Sequence, residues 1–231
     1  MTKNKKKITN EVQNYYKILP RNFLSTSHNP NYDQHKLNIP CRVYVSAPSG
    51  SGKTNLIIDL LHRMNETFEQ IIYVARNKDQ PLLQWLESKS KDIRFYDSDN
   101  IPTLENLDHS QSTQKLIIYD DCFMLSAAKQ QVIADMYIRG RHNGFSCIYL
   151  SQSYYSTNKV IRSIRLQCNY VFILKLNSSR EIDMILSEQP INVTKNQFKD
   201  FYEIATKKKF DFLCIDSDLG QVRHNFLEVL N

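Results

Sequence analysis

The sequence predicts an α/β fold, in which helices cover both faces of a mainly parallel central sheet. Two observations lead to this prediction. Short apolar runs, typical of buried parallel strands, alternate along the chain with stretches of helical periodicity. A loop rich in glycine and serine also stands between one such run and a helix-like run, which is the strand–loop–helix arrangement of an α/β unit.

The predicted elements follow one another from residue 42 to the end of the chain. Pro81 opens the helix PLLQWLESK, because proline is favoured at a first helical position. In order, the predicted strands are RVYVS, QIIYVAR, IRFYD, KLIIYDD, SCIYLSQS and YVFILKL, and FDFLCIDSD and VRHNFLEVL form a hairpin across residues 218–220. The predicted helices are NLIIDLL, PLLQWLESK, residues 126–141, YYSTNKVIRSIRL, SREIDMILSEQ and TKNQFKDFYEIATK, and residues 98–114 are a polar loop.

Length and composition indicate one domain with an extension. Residues 1–40 are polar throughout, so we predict an N-terminal extension there and one folded domain over residues 41–231. Hydrophobic residues make up 41% of the chain, which is enough for a sizeable core. The five cysteines are dispersed without CxxC spacing, so we expect reduced core thiols and neither disulfides nor a zinc site.

Charge and hydropathy limit the classes of binding partner that we expect. No apolar run approaches the ~20 residues that span a membrane, and no signal peptide is recognisable, so we expect no membrane contact. The formal net charge of +6 permits a polyanionic partner. It does not require one, because the short lysine clusters at residues 5–7 and 207–209 are also typical of a solvated tail and loop.

The stretch APSGSGKT matches the phosphate-loop pattern G-x-x-x-x-G-K-[S/T] except at its first position, where Ala47 replaces glycine. Backbone N–H groups of residues 50–54 would wrap phosphates at a helix N-terminus, Lys53 would reach the outer phosphates, and the Thr54 hydroxyl would hold Mg²⁺. The alternative is a chance match in a flexible turn, and the correct strand and helix flanks argue against it. The predicted ATP-binding residues are Ala47, Pro48, Ser49, Gly50, Ser51, Gly52, Lys53 and Thr54.

Two further strand ends carry polar residues. LIIYDD ends in Asp120, the candidate second ligand for Mg²⁺, and Asp121, the candidate for orienting or deprotonating the attacking water. IYLSQS carries Gln152, which could hydrogen-bond the γ-phosphate or that water. Taken singly, each motif also fits a bland interpretation, namely acids that cap a buried strand and a polar strand end at the surface.

A basic segment, RGRHNGF, lies between these two strands. Guanidinium groups suit phosphate, so Arg141 and Arg139 are candidates for stabilising the charge of the transition state. The alternative is a pair of solvated cations at a helix C-terminus, where the helix dipole favours them.

Taken together, APSGSGKT, LIIYDD, RGRHNGF and IYLSQS resemble, in this order, the FtsK/HerA superfamily of additional-strand P-loop ATPases. Within it the chain is most similar to the viral genome-packaging ATPases of poxviruses, other large DNA viruses, virophages and Polinton-like elements. The similarity covers about residues 40–175, and RGRHNGFSCIYLSQSYYSTNKVIRSIRLQCNYVFILK carries most of it. The departures are Ala47 and Asp121, the latter standing where cellular relatives usually have glutamate.

The resemblance implies a P-loop ATPase domain over residues 41–231 that works as a homo-oligomeric ring. Such a motor couples ATP hydrolysis to translocation of double-stranded DNA into a preformed capsid, with a capsid or portal-vertex protein as a further partner. The site would lie between subunits, with Arg141 as the leading trans-acting finger and Arg139 and Arg180 as alternates. The expected location is the host-cell cytoplasm, a viral factory or the virion.

The ring bore would grip DNA through its phosphates, largely without reading sequence. The candidate contacts are Lys159, Arg162 and Arg165, whose spacing predicts one helical face. An ordinary solvated face or a subunit contact would show the same spacing.

Three other functions fit the nucleotide motifs. The first is a related DNA helicase or conjugation-type pump with the same site and a different client. The second is a small-molecule kinase, which would act without DNA, and the third is a scaffold that binds nucleotide without hydrolysing it. The acid strand followed by a glutamine strand argues against the kinase.

Overall fold

The computed structural model describes residues 12–20, 27–90, 92–108, 110 and 112–231. Within these residues the chain forms a sheet of nine strands in the order β3-β2-β4-β5-β1-β6-β7-β8-β9. The strands are β1 (Arg42–Ser46), β2 (Gln70–Ala75), β3 (Ile93–Asp97), β4 (Lys115–Asp120), β5 (Phe145–Ser151), β6 (Tyr170–Ile173), β7 (Leu213–Asp216), β8 (Gln221–His224) and β9 (Glu228–Val229).

Strands β1 to β6 run parallel, and β7, β8 and β9 extend the sheet as antiparallel neighbours. The helices are α1 (Tyr32–His35), α2 (Lys53–Arg63), α3 (Pro81–Lys89), α4 (Ala127–Arg139), α5 (Lys159–Leu166), α6 (Ser179–Glu188) and α7 (Lys195–Ala205). The predicted α/β class with a mainly parallel sheet is confirmed.

Alternation along the strands divides the core into two layers. In β1, Val43 and Val45 pack in the cluster that contains the apolar faces of α2 and α3, whereas Tyr44 packs in the cluster that contains those of α4 to α7. Successive side chains of a strand point to opposite faces, so a strand that is apolar throughout is covered on both sides. This burial explains why the central strands read as continuous apolar runs in the sequence.

Several local signals place the helix starts. Pro81 occupies the first turn of α3, and Thr194 and Gln197 form a capping box before α7. The predicted helix YYSTNKVIRSIRL is wrong at its start, because only Lys159–Leu166 is helical. Asn158 accepts a hydrogen bond from the backbone of Val160 and so ends the preceding loop.

Residues 27–40, here called the N-terminal strap, pack along the amino edge of the sheet. The backbone N–H of Asn38 donates to Tyr170 Oη at 3.0 Å, at the first residue of β6. Arg63 Nη1 donates to the carbonyl of Gln34 at 3.0 Å, at the end of α2. The strap therefore lies opposite the edge at which the parallel strands end, while the predicted domain boundary at residue 40 stays a prediction.

Within the described part of the chain, no helix has the length and apolar character needed to cross a membrane. All five cysteines are buried as free thiols.

Candidate nucleotide site

The loop between β1 and α2 depends on two glycines with positive φ. Gly50 has a φ of 76° and Gly52 a φ of 104°, a region that glycine enters without steric cost. A Cβ atom on Gly52 would also lie 2.4 Å from a ring carbon of Phe210. Ala47 instead prolongs β1, since its N–H donates to the carbonyl of Ser151 at 3.1 Å, so its methyl group fits a strand position.

Lys53 opens α2 and directs its ammonium group into the curve of the loop. Its Nζ donates to the carbonyl oxygens of Ala47 at 2.6 Å and Pro48 at 3.0 Å. Burial lowers the pKa of Lys53, and the carboxylates of Asp120 and Asp121 oppose that shift. The loop thus holds a partly desolvated cation between backbone carbonyls and an acidic pair.

The acidic pair stands at the end of β4. Asp120 is 4% exposed, and Tyr73 Oη on the neighbouring β2 donates to its Oδ2 at 2.9 Å. Burial raises the pKa of Asp120, whereas the Tyr73 hydrogen bond and the Lys53 charge both favour its ionised form. Asp121 follows with a φ of 55°, a left-handed conformation that aspartate tolerates better than most residues.

Gln152 follows β5, the strand that lies between β4 and β1. Its Nε2 donates to Asp121 Oδ1 at 2.6 Å. The extra strand between the acid strand and the loop strand therefore brings this amide directly onto the second acid.

A cavity of about 340 Å³ joins these groups. Its walls include Lys53, Thr54, Asp120, Asp121 and Gln152. The sequence analysis singled out these residues at the start of α2 and at the ends of β4 and β5. Parallel strands end at one edge of the sheet, which is why residues up to about a hundred positions apart meet here. Ser49, Gly50 and Gly52 of the predicted loop also line the cavity.

The sequence reasoning missed four lining residues, namely Asn55, Gln80, Leu82 and Phe210. Gln80 immediately precedes α3, and the Thr54 hydroxyl donates to its Oε1 at 3.5 Å. Phe210 reaches the cavity from the segment before β7. Glutamine before a proline gives a weak sequence signal for Gln80, while nothing local in the sequence points to Phe210.

The loop after Gln152 is held by charged groups from two helices. One carboxylate oxygen of Glu181, on α6, accepts from the Ser153 hydroxyl and from the backbone N–H groups of Tyr154 at 2.8 Å and Tyr155 at 3.1 Å. On α5, Arg165 Nη1 donates to the Tyr154 carbonyl at 2.6 Å. Gln152 is therefore followed at once by a loop whose backbone position is fixed on both sides.

The three candidate finger arginines lie outside the cavity walls. Arg139 Nη1 donates to Glu105 Oε1 at 3.3 Å, and Arg141 is exposed in the 3-10 turn Gly140–Asn143 after α4. Arg180 is exposed near the start of α6, in a separate groove with Tyr155. None of the three is among the residues that line the nucleotide cavity of their own subunit.

The prediction that Lys159, Arg162 and Arg165 lie along one helical face that contacts DNA is wrong for Arg165. Lys159 and Arg162 are exposed, but Arg165 is 1% exposed and donates to both carboxylate oxygens of Glu188 at 2.8 and 2.9 Å. Residues three apart on a helix are offset by about 60° around its axis, so Arg165 lies about 120° from Lys159 and faces inward. Its guanidinium also lies 4.3 Å from the Tyr154 ring centroid.

The fold and site define a P-loop ATPase of the additional-strand class, with a phosphate loop, an acid strand and an intervening glutamine strand. The chain belongs to the poxvirus A32 protein family, whose model matches residues 30–218. The predicted resemblance to the viral packaging ATPases of the FtsK/HerA type is thereby confirmed.

Solved structures share this fold at low sequence identity. The crystal structure of B204, the DNA-packaging ATPase from Sulfolobus Turreted Icosahedral Virus, is 16% identical, with a TM-score of 0.57 over 83% of this chain and 99% of that one. The genome packaging NTPase B204 from Sulfolobus turreted icosahedral virus 2 in complex with ATP-gammaS is also 16% identical, with a TM-score of 0.55 and coverage of 83% and 99%.

EssC (ATPases 2 and 3) from Geobacillus thermodenitrificans is 13% identical, with a TM-score of 0.52, and covers 84% of this chain and 38% of that one. A comparison with curated protein sequences finds no significant match.

Proposed function

We propose that this chain is the ATPase subunit of a viral DNA-packaging motor, in which ATP hydrolysis drives double-stranded DNA into a preformed capsid. One observation carries the proposal: in a member of the poxvirus A32 family, Lys53, Asp120, Asp121 and Gln152 converge on a single cavity. The similarity to B204, which is described as a DNA-packaging ATPase, supports the same function.

The proposed chemistry uses the chain's own groups in distinct roles. The backbone N–H groups of residues 50–54 wrap the phosphates of ATP, and Lys53 stabilises the negative charge on the outer phosphates. Asp121 orients the attacking water and accepts its proton. Because Gln152 already donates to Asp121 Oδ1, it fixes that carboxylate and leaves Oδ2 to the water.

The oxygen groups of the cavity fit a magnesium ion. Mg²⁺ prefers oxygen ligands, commonly one or two protein oxygens with phosphate oxygens and water. The Thr54 hydroxyl and the Asp120 carboxylate are the protein groups that would hold it, and both line the cavity beside Lys53. Bound there with ATP, the ion would neutralise part of the charge on the outer phosphates.

The proposed assembly is a homo-oligomeric ring with sites shared between neighbours. Arg141 is exposed and lies outside its own cavity, which suits a residue that reaches the neighbouring subunit's γ-phosphate. Arg139 and Arg180 are the alternates. A capsid or portal-vertex protein completes the machine, which would act in the host-cell cytoplasm, a viral factory or the virion.

The test combines native mass measurement with ATPase assays in the presence and absence of double-stranded DNA. We expect a ring whose hydrolysis is stimulated by DNA and abolished by Lys53→Ala. Lys89→Ala, an exposed lysine at the end of α3, is the matched control and retains the activity. Hydrolysis that persists in Lys53→Ala, or a monomer with full activity that ignores DNA, would refute the proposal.

A second measurement addresses the DNA surface on α5. Phosphate contacts make affinity fall steeply with salt, by a logarithmic slope of about 0.9 per contact on duplex DNA. The double change Lys159→Ala and Arg162→Ala is therefore expected to make the slope shallower by about two. Lys89→Ala with Arg94→Ala, two exposed cations on α3 and the outer strand β3, keeps the wild-type slope. An equal loss in both pairs would remove α5 as the DNA surface.

A further inference from the structure

A second cavity, of about 680 Å³, adjoins the phosphate loop on the side away from the acid strand. It meets the loop at Ser51, and its apolar lining includes Leu174, just after β6, and Ile204 on α7. The lysine run 207–209 also lines it. Phe210 lines both this cavity and the nucleotide cavity, so the two share a wall.

The sheet order fixes the direction of a nucleotide in the loop. Asp120 ends β4 and Asp121 follows it, on one side of β1, while β6 and β7 lie on the other side of β1. The outer phosphate must point toward Asp121 and Gln152 if these residues act on the attacking water. The nucleoside end then points the opposite way, toward the end of β6 and the start of β7, where the second cavity lies.

Phe210 is presented at this position against a backbone preference. Its φ is 77°, a left-handed value that is a genuine outlier for a bulky residue and is typical of functional positions. The ring packs against the Gly52 backbone, yet 45% of the residue remains exposed. Lys209 Nζ lies 5.0 Å from the ring centroid.

The neighbouring Asp211 joins the segment that carries Phe210 to residues at the end of β8. Its Oδ1 accepts from Asn225 Nδ2 at 3.1 Å, and its Oδ2 lies 3.2 Å from His224 Nε2. The backbone N–H of Phe212 in turn donates to Asn225 Oδ1 at 3.0 Å. These three contacts join residues 211–212 to the end of β8, so the exposed Phe210 ring is held in a fixed position.

We propose that the cavity lined by residues 204–211 is the nucleoside subsite of this ATPase, with the Phe210 ring as the surface on which the base stacks. This proposal rests on the proposed function, because it requires a triphosphate in the loop. The apolar side chains of Leu174 and Ile204 suit the remaining faces of the base and ribose. The lysine run that also lines the cavity supplies a positive field, which favours an anionic ligand such as ATP.

The test uses isothermal titration calorimetry to compare the affinities of Phe210→Ala, Phe210→Trp and wild type for ATP and for inorganic tripolyphosphate. Stacking of a base on an aromatic side chain predicts that Phe210→Ala weakens ATP binding on the order of 10-fold. Tripolyphosphate, which has no base, is expected to bind wild type and Phe210→Ala equally and so also reports that the variant is folded. Phe210→Trp is expected to keep wild-type affinity for ATP. Leu219→Ala, an exposed apolar residue in the β7–β8 turn, is the control.

The outcomes separate the two proposals. If wild type binds neither ligand, the nucleotide function itself fails and the subsite fails with it. If tripolyphosphate and ATP weaken together in Phe210→Ala, the ring supports the phosphate loop and no base stacks on it. If ATP binding is unchanged and binding of double-stranded DNA is lost, residues 207–210 form a nucleic-acid surface, and the subsite proposal is overturned.

Discussion

Removing the Tyr73 hydroxyl tests whether Asp120 works as an ionised carboxylate. Tyr73→Phe deletes the 2.9 Å hydrogen bond to Asp120 Oδ2 and changes the packing by a single oxygen atom. Burial already raises the pKa of Asp120, and the hydrogen bond from Tyr73 is the strongest of the interactions that lower this pKa. The burial and the Asp120 charge that raise the pKa of Tyr73 keep its hydroxyl protonated as a donor.

The expected size follows from the strength of such a bond. A hydrogen bond to a charged group contributes about 1.5–3 kcal/mol. Tyr73→Phe removes this stabilisation of the ionised carboxylate, so the pKa of Asp120 rises further. The acidic limb of the pH profile of kcat/KM for ATP hydrolysis is expected to move to higher pH. The loss of stability is largest at pH values at which Asp120 is ionised, and it shrinks as acid protonates the carboxylate.

Tyr119→Phe is the matched control. Tyr119 precedes Asp120 on β4 and is fully buried, and its hydroxyl has no hydrogen-bond partner among the described residues. Its removal is expected to leave the acidic limb in place and to be neutral or slightly stabilising. If Tyr73→Phe and Tyr119→Phe give the same pH profile, Asp120 ionisation does not limit the reaction, and the reasoning is refuted.

Asp121→Asn is expected to keep ATP bound but to cut phosphate release on the order of 10²-fold or more, and normal turnover would assign water activation elsewhere. Mixing inactive Lys53→Ala and Arg141→Ala subunits is expected to restore part of the ATPase activity, because some interfaces then pair an intact loop with an intact arginine. No recovery in rings shown to be mixed would place Arg141 outside the neighbouring site. Arg165→Ala is expected to lower the free energy of unfolding by about 3–5 kcal/mol in denaturant titrations, against at most about 1 kcal/mol for the exposed Arg162→Ala. Equal losses would contradict a structural role for the buried ion pair.

The parts of the site that follow strand ends could be predicted from the sequence. Asp120 and Gln152 stand at the ends of apolar runs, and Lys53 follows β1 across the phosphate loop. The parallel order of those strands brings all three residues to one edge of the sheet. The chemistry of each of these residues can be inferred from its residue type and from its position relative to a strand. The roles of these residues in catalysis stay predictions until variants are measured.

Other parts depend on contacts that no local pattern encodes. Phe210 contacts Gly52 although the two residues are far apart in the sequence. Glu181 binds the loop after Gln152 only because α6 packs beside that loop. Arg165 was misjudged because spacing alone does not tell which side of a helix faces the core. The pattern of apolar residues does indicate the buried side of α5, since Ile161 and Ile164 flank Arg165 on that face.

The N-terminal strap has a practical consequence for anyone who shortens this chain. A fragment cut at the compositional boundary, beginning at residue 41, would retain every nucleotide-site residue yet lose the fully buried side chains of His35 and Leu37. Tyr170 and Arg63 would also lose their partners at the amino edge. A fragment that begins at residue 27 keeps these contacts. Weak activity in the shorter fragment would then reflect a loosened scaffold far from the phosphates, and it would be misread as a defect in catalysis.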